Sequence, residues 1–168
     1  MKKNIVKIIV ITLIVVLLMP SVALAASKRP YKDVTKKIVG KTNYTAIRKE
    51  KKWGTFDGVV EKNAKEFHPT WALRRWEFVQ FVANTYELSL SEMSVYKKPN
   101  KVVTVGWLTK YLSRFSDEIF GVPLTYDDTE YKSNKKVNRA LGSGYLYYFE
   151  KVARLRGATP VNGNTAEG

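Results

Sequence analysis

The sequence contains no cysteine and a single histidine, His68. Without cysteine the chain has no disulfide bond, no thiol nucleophile and no thiolate ligand for a metal. One histidine gives no catalytic-triad pattern and no metal-ligand spacing, and no glycine-rich phosphate loop is present. A glycosidase needs only a pair of carboxyl groups, for which Glu66 and Glu77 are candidates by composition alone. We therefore predict a protein without catalytic residues, bound metal or cofactor.

The first 25 residues have the composition of an export signal. Three lysines among the first seven residues precede an apolar run over residues 8–19, which is short for a membrane span. A small-x-small sequence follows at residues 23–25, so we predict a signal peptide over residues 1–25, cleaved between Ala25 and Ala26. An uncleaved N-terminal anchor stays open, because the apolar run is slightly long for a signal peptide. In both cases the rest of the chain is expected to be exported.

Acidic residues are scarce relative to basic ones, with 15 Asp and Glu against 29 Lys and Arg and a net charge of +14. Loss of the three signal-peptide lysines leaves +11 on the mature chain. A net charge of this size gives information about the binding partners of the protein rather than about its fold. Outside the cell the available polyanions are wall polymers and lipid head groups, so nucleic acid is not an expected partner.

The hydrophobic pattern predicts helices only. Apolar residues recur at helical spacing near residues 44–53, 71–87, 103–120 and 134–154, and no strand alternation of useful length is present. Thr70 is the predicted N-cap of the second helix, and Gly142 and Gly144 are predicted to divide the last one into two pieces. We expect an all-α bundle over residues 26–156 and a disordered tail over residues 157–168. The predicted core contains Phe78, Val82, Leu108, Leu112, Phe115 and Phe149.

The second predicted helix is amphipathic, and its polar residues lie on one stripe. These residues are spaced by three, four and three positions, which places them on one helical face. We predict that this face is exposed to solvent and that Glu77 compensates the helix dipole there. The stripe consists of Glu77, Gln80, Asn84 and Glu87.

A motif around this helix start resembles a known family. Phe67-x-Pro69 is followed by Leu73 and then by the sequence RRWEF at residues 74–78, and Asp33 in the sequence YKDV lies 34 residues before Phe67. The order and spacing resemble those of the S-layer homology domain, whose signature F-x-P-x-x-x-(I/L)-T-R-A-E-F follows an F-x-D-V element. Residues 31–88 carry the resemblance. Arg74 stands at the family's Thr and Trp76 at its Ala.

Beyond residue 88 the resemblance is weaker. The sequence YDDT at residues 126–129 looks like the start of a second repeat, with Val137 and Ala140-Leu141 in its first helix and turn. Residues 102–120 look like a degenerate second helix of the type that follows the signature. The chain is therefore expected to contain one repeat and a divergent partial partner. Self-association to complete a three-repeat arrangement stays open.

The resemblance implies non-catalytic anchoring. Members of the family bind anionic secondary cell-wall polymers, commonly pyruvylated ones, in grooves between three packed repeats. On this basis the chain is expected to be secreted, to be associated with the cell wall or S-layer, and to bind such a polymer. The membrane is then involved only through the signal peptide. A basic exported helical protein that binds a membrane surface or a protein partner is the alternative.

The resemblance also assigns the binding residues. A carboxylate at a helix N-terminus meets free backbone N–H groups, and an arginine in the first turn adds a bidentate donor. Arg75 is therefore an expected ligand contact, and Asp33 is expected to orient the groove or to cap the neighbouring element. An aromatic plane matches the apolar face of a sugar ring, although core packing is an alternative role for Trp76. The ligand-binding residues implied are Arg75, Arg74, Asp33, Trp71 and Trp76.

Overall fold

The computed structural model describes residues 29–91, 93, 98–122 and 124–157. The predicted signal peptide and residues 158–168 of the predicted tail lie outside these residues. Within them the chain forms five α-helices and no strand, which confirms the all-α prediction. The helices are α1 (Lys36–Lys52), α2 (Arg75–Thr85), α3 (Val105–Phe120), α4 (Asp128–Lys132) and α5 (Arg139–Leu155). None of these described helices is long and apolar enough to cross a bilayer.

The predicted helix boundaries need two corrections. Helix α2 begins at Arg75 with Arg74 as its N-cap, so the prediction that Thr70 caps a helix from residue 71 is wrong. Helix α5 is continuous through Gly142 and Gly144, which were predicted to divide it. These glycines allow close packing, because a Cβ atom on Gly142 would lie 2.4 Å from Leu73 Cδ2.

Helix α1 is longer than the helix predicted over residues 44–53. It begins at Lys36, where the Thr35 hydroxyl accepts a hydrogen bond from the Ile38 N–H. Gly40 has a φ of 79°, a conformation that favours glycine, and it kinks the helix after its first turn. The first turn therefore points away from the axis of the remaining helix.

Three extended segments, residues 71–74, 101–104 and 135–138, meet in front of helices α2, α3 and α5. Leu73 N–H donates to the Val137 carbonyl at 2.9 Å, and Val137 N–H donates to the Val103 carbonyl at 2.9 Å. Val103 N–H then donates to the Leu73 carbonyl at 2.8 Å and closes a ring of three hydrogen bonds. We call these segments the ring segments.

The same relation repeats at the first residue of each following helix. The backbone N–H of this first residue donates to a backbone carbonyl in another ring segment. The accepting residue lies two positions before the residue that forms the ring of three hydrogen bonds. The three bonds are Arg75 to Lys101 at 3.0 Å, Val105 to Lys135 at 2.9 Å and Arg139 to Trp71 at 3.0 Å. The three helix starts are therefore related by a pseudo-threefold arrangement, and a single chain supplies all three.

This arrangement changes the interpretation of residues 137–141. The sequence resemblance placed Val137 and Ala140-Leu141 in the first helix and turn of a second repeat. In the structure they lie at the start of α5, in the positions that Leu73 and Trp76-Glu77 occupy at the start of α2. Val103 occupies the same position before α3.

Helices α2, α3 and α5 enclose the apolar core. All six predicted core residues are at most 5% exposed, which confirms that part of the prediction. The predicted polar stripe on α2 is wrong at its first member, because Glu77 is only 5% exposed and Arg139 contacts it from α5. Ile119 continues the apolar spacing of α3 but is 42% exposed.

Helix α1 packs on α5 with two glutamates at the interface. Glu50 is fully buried, and the Ser143 side chain of α5 lies beside its carboxyl group. Burial, together with the nearby Glu150, raises the pKa of Glu50 well above its ordinary value. Burial also raises the pKa of Glu150, against the opposing effect of Arg154. The folded state therefore favours a protonated carboxyl at Glu50.

The raised pKa of Glu50 predicts that stability falls as the pH rises. A carboxyl group whose pKa is higher in the folded state contributes its full stability below its ordinary pKa, and this is lost as the pH rises through the folded-state value. Glu50→Gln removes this ionisation. The unfolding free energy of the native chain relative to that of Glu50→Gln should therefore decrease from about pH 4.5 upward. Urea titrations of the native chain and of Glu50→Gln across this range measure the difference.

Candidate functional site

Adjacent helix starts contact each other through the first residue of one helix and the third residue of another. Arg139, the first residue of α5, pairs with Glu77, the third residue of α2. Arg75, the first residue of α2, lies over Trp107, the third residue of α3. We call these two places the α5–α2 junction and the α2–α3 junction. At each junction, the first residue of one of the two helices is therefore an arginine.

The α5–α2 junction contains a buried ion pair. Arg139 Nη2 lies 2.6 Å from Glu77 Oε1, and both side chains are at most 10% exposed. Arg139 Nη1 also donates to the Phe67 carbonyl at 3.0 Å. The other carboxylate oxygen of Glu77 accepts the Arg74 N–H at 2.7 Å and so caps α2. One glutamate thus fixes the start of its own helix and the start of α5.

An open groove of about 640 Å³ lies beside this ion pair. Trp71 lines the groove with 55% of its surface exposed, and its ring stacks on the His68 ring at 3.8 Å with an interplanar angle of 6°. Below it, the guanidinium of Arg139 lies 5.3 Å from the Trp71 ring. Lys32 and Lys65 also line the groove, as do Glu61 and Glu66. We call this site the Trp71 groove.

Asp33 supports the groove from behind. Its two carboxylate oxygens accept the backbone N–H groups of Phe67 and His68, at 2.9 and 2.7 Å. These bonds hold His68 in a left-handed conformation with a φ of 55°. Asp33 therefore positions the histidine on which Trp71 stacks.

A metal ion has one group of candidate ligands among the described residues. The ligand atoms of Asp33, Glu66 and His68 lie within 4.8 Å of one another. Both Asp33 oxygens already accept backbone N–H groups, so the position of that carboxylate is explained without an ion. We assign no metal to this group.

The α2–α3 junction is the second cationic site. The guanidinium of Arg75 lies 4.8 Å from the Trp107 ring, and burial lowers the pKa of Arg75. Arg74 is exposed, and its Nη1 donates to the Asn100 carbonyl at 2.6 Å. Trp107 stacks in turn on Tyr111, with ring centroids 5.1 Å apart. This junction combines two guanidinium groups with an ordered aromatic pair.

The five predicted binding residues lie at two places in the structure, the Trp71 groove and the α2–α3 junction. Trp71 and Asp33 belong to the Trp71 groove, whereas Arg74 and Arg75 belong to the α2–α3 junction. Trp76 is half-buried beside the latter, where its backbone N–H donates to the Pro99 carbonyl at 3.1 Å. The sequence analysis therefore assigned residues from two separate places to a single binding site.

Three contributors were missed in the sequence: Arg139, His68 as a stacking partner, and Trp107. Arg139 could have been identified from the sequence, because it lies two residues after Val137 just as Arg75 lies two residues after Leu73. The contact between His68 and Trp71 depends on the left-handed backbone of His68, which has no sequence signature here. Trp107 lies in the position equivalent to Glu77, so the equivalence of the helix starts would have identified it.

No protein-family model, curated protein or solved structure matches the chain. The site residues and their geometry are therefore the basis for inferring a function.

Proposed function

We propose that this chain is an exported protein that binds an anionic polysaccharide of the cell envelope without catalysis. Two independent features support the proposal. The motif at residues 67–78 resembles the S-layer homology family, whose members bind anionic wall polymers in grooves between three packed repeats. The pseudo-threefold arrangement of the helix starts is compatible with such grooves, because it creates junctions between neighbouring segments.

The exposed Trp71 is the observation that carries the proposal. A tryptophan that is more than half exposed loses the benefit of burial unless a ligand covers it. The His68 ring holds Trp71 in one orientation, and Asp33 holds His68. The indole surface that stays exposed at the open groove is prealigned to contact the apolar part of a sugar ring, at little cost in side-chain ordering.

Charge defines the second part of the ligand. Lys32 and Lys65 line the Trp71 groove, and Arg74 and Arg75 lie at the neighbouring junction on the same ring segment and the helix that follows it. Guanidinium groups at a helix start favour a carboxylate. A polysaccharide that repeats an acidic group, such as a pyruvylated one, could contact both places with a single chain.

The direct test of this function is sedimentation of the purified protein with isolated cell walls, before and after extraction of the anionic secondary polymer. The proposal predicts that binding is lost with the polymer. Binding that survives the extraction would contradict the proposal and favour a membrane or protein partner. Salt sensitivity alone is not informative, because any protein of this charge shows it.

Trp71→Ala should weaken polymer binding about tenfold, roughly 1.4 kcal/mol, because the stacking plane is lost. Stability should change little, since the side chain is more than half exposed. Tyr148→Ala is the matched control, an aromatic side chain on α5 that is 64% exposed. Equal losses for both variants in an equilibrium binding assay would remove Trp71 from the site.

Arg75→Ala should lower polymer affinity about tenfold, because a charge-assisted contact in a partly exposed site contributes about 1.5 kcal/mol. Arg75→Lys should recover only part of it, since the ammonium group keeps the charge but not the planar fork. Lys136→Ala calibrates the contribution of diffuse charge. If Arg75→Ala and Lys136→Ala reduce binding equally, only nonspecific electrostatics acts at this junction.

A further inference from the structure

The exposed charges of helix α1 all have the same sign. The helix contains seven lysines and arginines and one acidic residue, Glu50. Since Glu50 is fully buried against α5, it adds no negative charge to the surface. The charged groups on the outer face of α1 are therefore all cations, whereas surface helices commonly alternate the two signs.

Five of these cations surround one concavity of about 310 Å³. Lys41, Arg48 and Lys52 follow the helical spacing i, i+7 and i+11, which places them on one face over about 16 Å of helix. Lys36 approaches from the first turn, beyond the kink at Gly40, and its ammonium group lies 5.8 Å from the Tyr44 ring. We call this surface the α1 track; it comprises Lys36, Lys41, Tyr44, Thr45, Arg48, Lys49 and Lys52.

Lys51 lies on the same helix but outside the track, and it has structural contacts. Lys51 Nζ donates to the Pro30 carbonyl and lies 3.9 Å over the Tyr31 ring. These contacts attach the segment before α1 to the helix. No residue of the track lines the Trp71 groove, so the two concavities are separate.

We propose that the α1 track binds a linear phosphodiester polymer. Lysine ammonium groups bind phosphate as point charges, and a phosphodiester keeps its charge at every physiological pH. The track is elongated, and its cations succeed one another along the helix, so it fits a chain with one charge per repeat. The aromatic ring of the track, Tyr44, is buried, and Ile38 is the one large apolar side chain that α1 exposes, whereas a helix that lies in a membrane surface presents a whole apolar face.

The test compares two charge-matched double variants. Lys41→Gln with Arg48→Gln removes two cations of the track, and Lys110→Gln with Lys135→Gln removes two exposed cations elsewhere. Lipid-free glycerol-phosphate polymer is titrated into each protein over a range of salt concentrations. We expect the track variant to lose at least tenfold in affinity, with a shallower dependence of log affinity on log salt. The control variant should lose less than threefold, and Trp71→Ala should bind this polymer as the native chain does.

Three outcomes would overturn the proposal. The first is an equal loss of affinity in the two double variants, which would show that the track acts only through the net charge of the protein. The second is binding of polygalacturonate, a carboxylate polymer, with the same affinity and the same dependence on Lys41 and Arg48. The third is binding to phosphatidylglycerol vesicles without binding to the free polymer, which would make α1 a membrane surface. Each outcome leaves the Trp71 groove unaffected, so failure here is distinguishable from failure of the proposed function.

Discussion

Glu77→Ala is expected to lower the free energy of unfolding by about 3–5 kcal/mol, because it leaves a buried arginine without its carboxylate. Arg139 is 8% exposed, and its guanidinium lies 2.6 Å from Glu77. The substitution also removes the acceptor for the Arg74 N–H, which caps α2. One change thus affects two of the three helix starts. A urea titration measures the loss.

Two controls separate the ion pair from a general effect of charge. Glu118→Ala removes a partner of Arg114 in a surface pair at 3.7 Å and should cost less than about 1 kcal/mol. The double variant Glu77→Leu with Arg139→Met replaces the buried pair by apolar side chains and should regain most of the stability that Glu77→Ala loses. A cost below about 1 kcal/mol for Glu77→Ala would contradict the burial of this pair.

Phe115→Ala is expected to destabilise the fold by about 3–5 kcal/mol through the cavity that it leaves. The Phe115 ring is 5% exposed and lies between α2 and α5, with ring centroids 5.2 Å from Tyr86 and 6.0 Å from Phe149. Phe120 contacts it from the same helix at 5.8 Å. The surrounding rings are large and mutually packed, so they collapse poorly into the space.

Ile119→Ala is the control for Phe115→Ala on the same helix. Both residues fall on the apolar spacing of α3, but Ile119 is 42% exposed and its truncation should cost less than about 1 kcal/mol. Denaturant titrations of the two variants therefore test which face of α3 is buried. Equal costs for the two variants would show that the packing of α3 differs from that described.

The core and the fold class could be predicted because they depend on local periodicity. Apolar residues at helical spacing identified the buried faces of α2 and α3, and Gly121 ends α3 in a left-handed C-cap. The start of α2 could not be predicted in this way. Residues 71–74 stay extended because they pair with ring segments about 30 and 65 residues away, and the local sequence does not specify those partners.

The candidate site was only partly predictable for the same reason. Glu77 looks like an exposed helix residue until Arg139, which is 62 residues away, approaches it. Trp71 looks like the first residue of a helix, whereas the structure places it on a ring segment at a groove. Arginine and tryptophan near a helix start are the residue types on which the prediction of an anionic sugar ligand is based. Their division between two junctions required the tertiary structure.

Calorimetric titration with purified wall polymer, before and after its acidic groups are removed, tests the central claim most directly. The salt concentration should be about 0.5 M, where long-range attraction between exposed charges is screened but direct contacts between paired groups remain. The account predicts that the acidic polymer binds the native chain, that Trp71→Ala binds it about tenfold more weakly, and that the neutral polymer does not bind. Equal binding of the acidic and neutral polymers, or unchanged binding by Trp71→Ala, would contradict it.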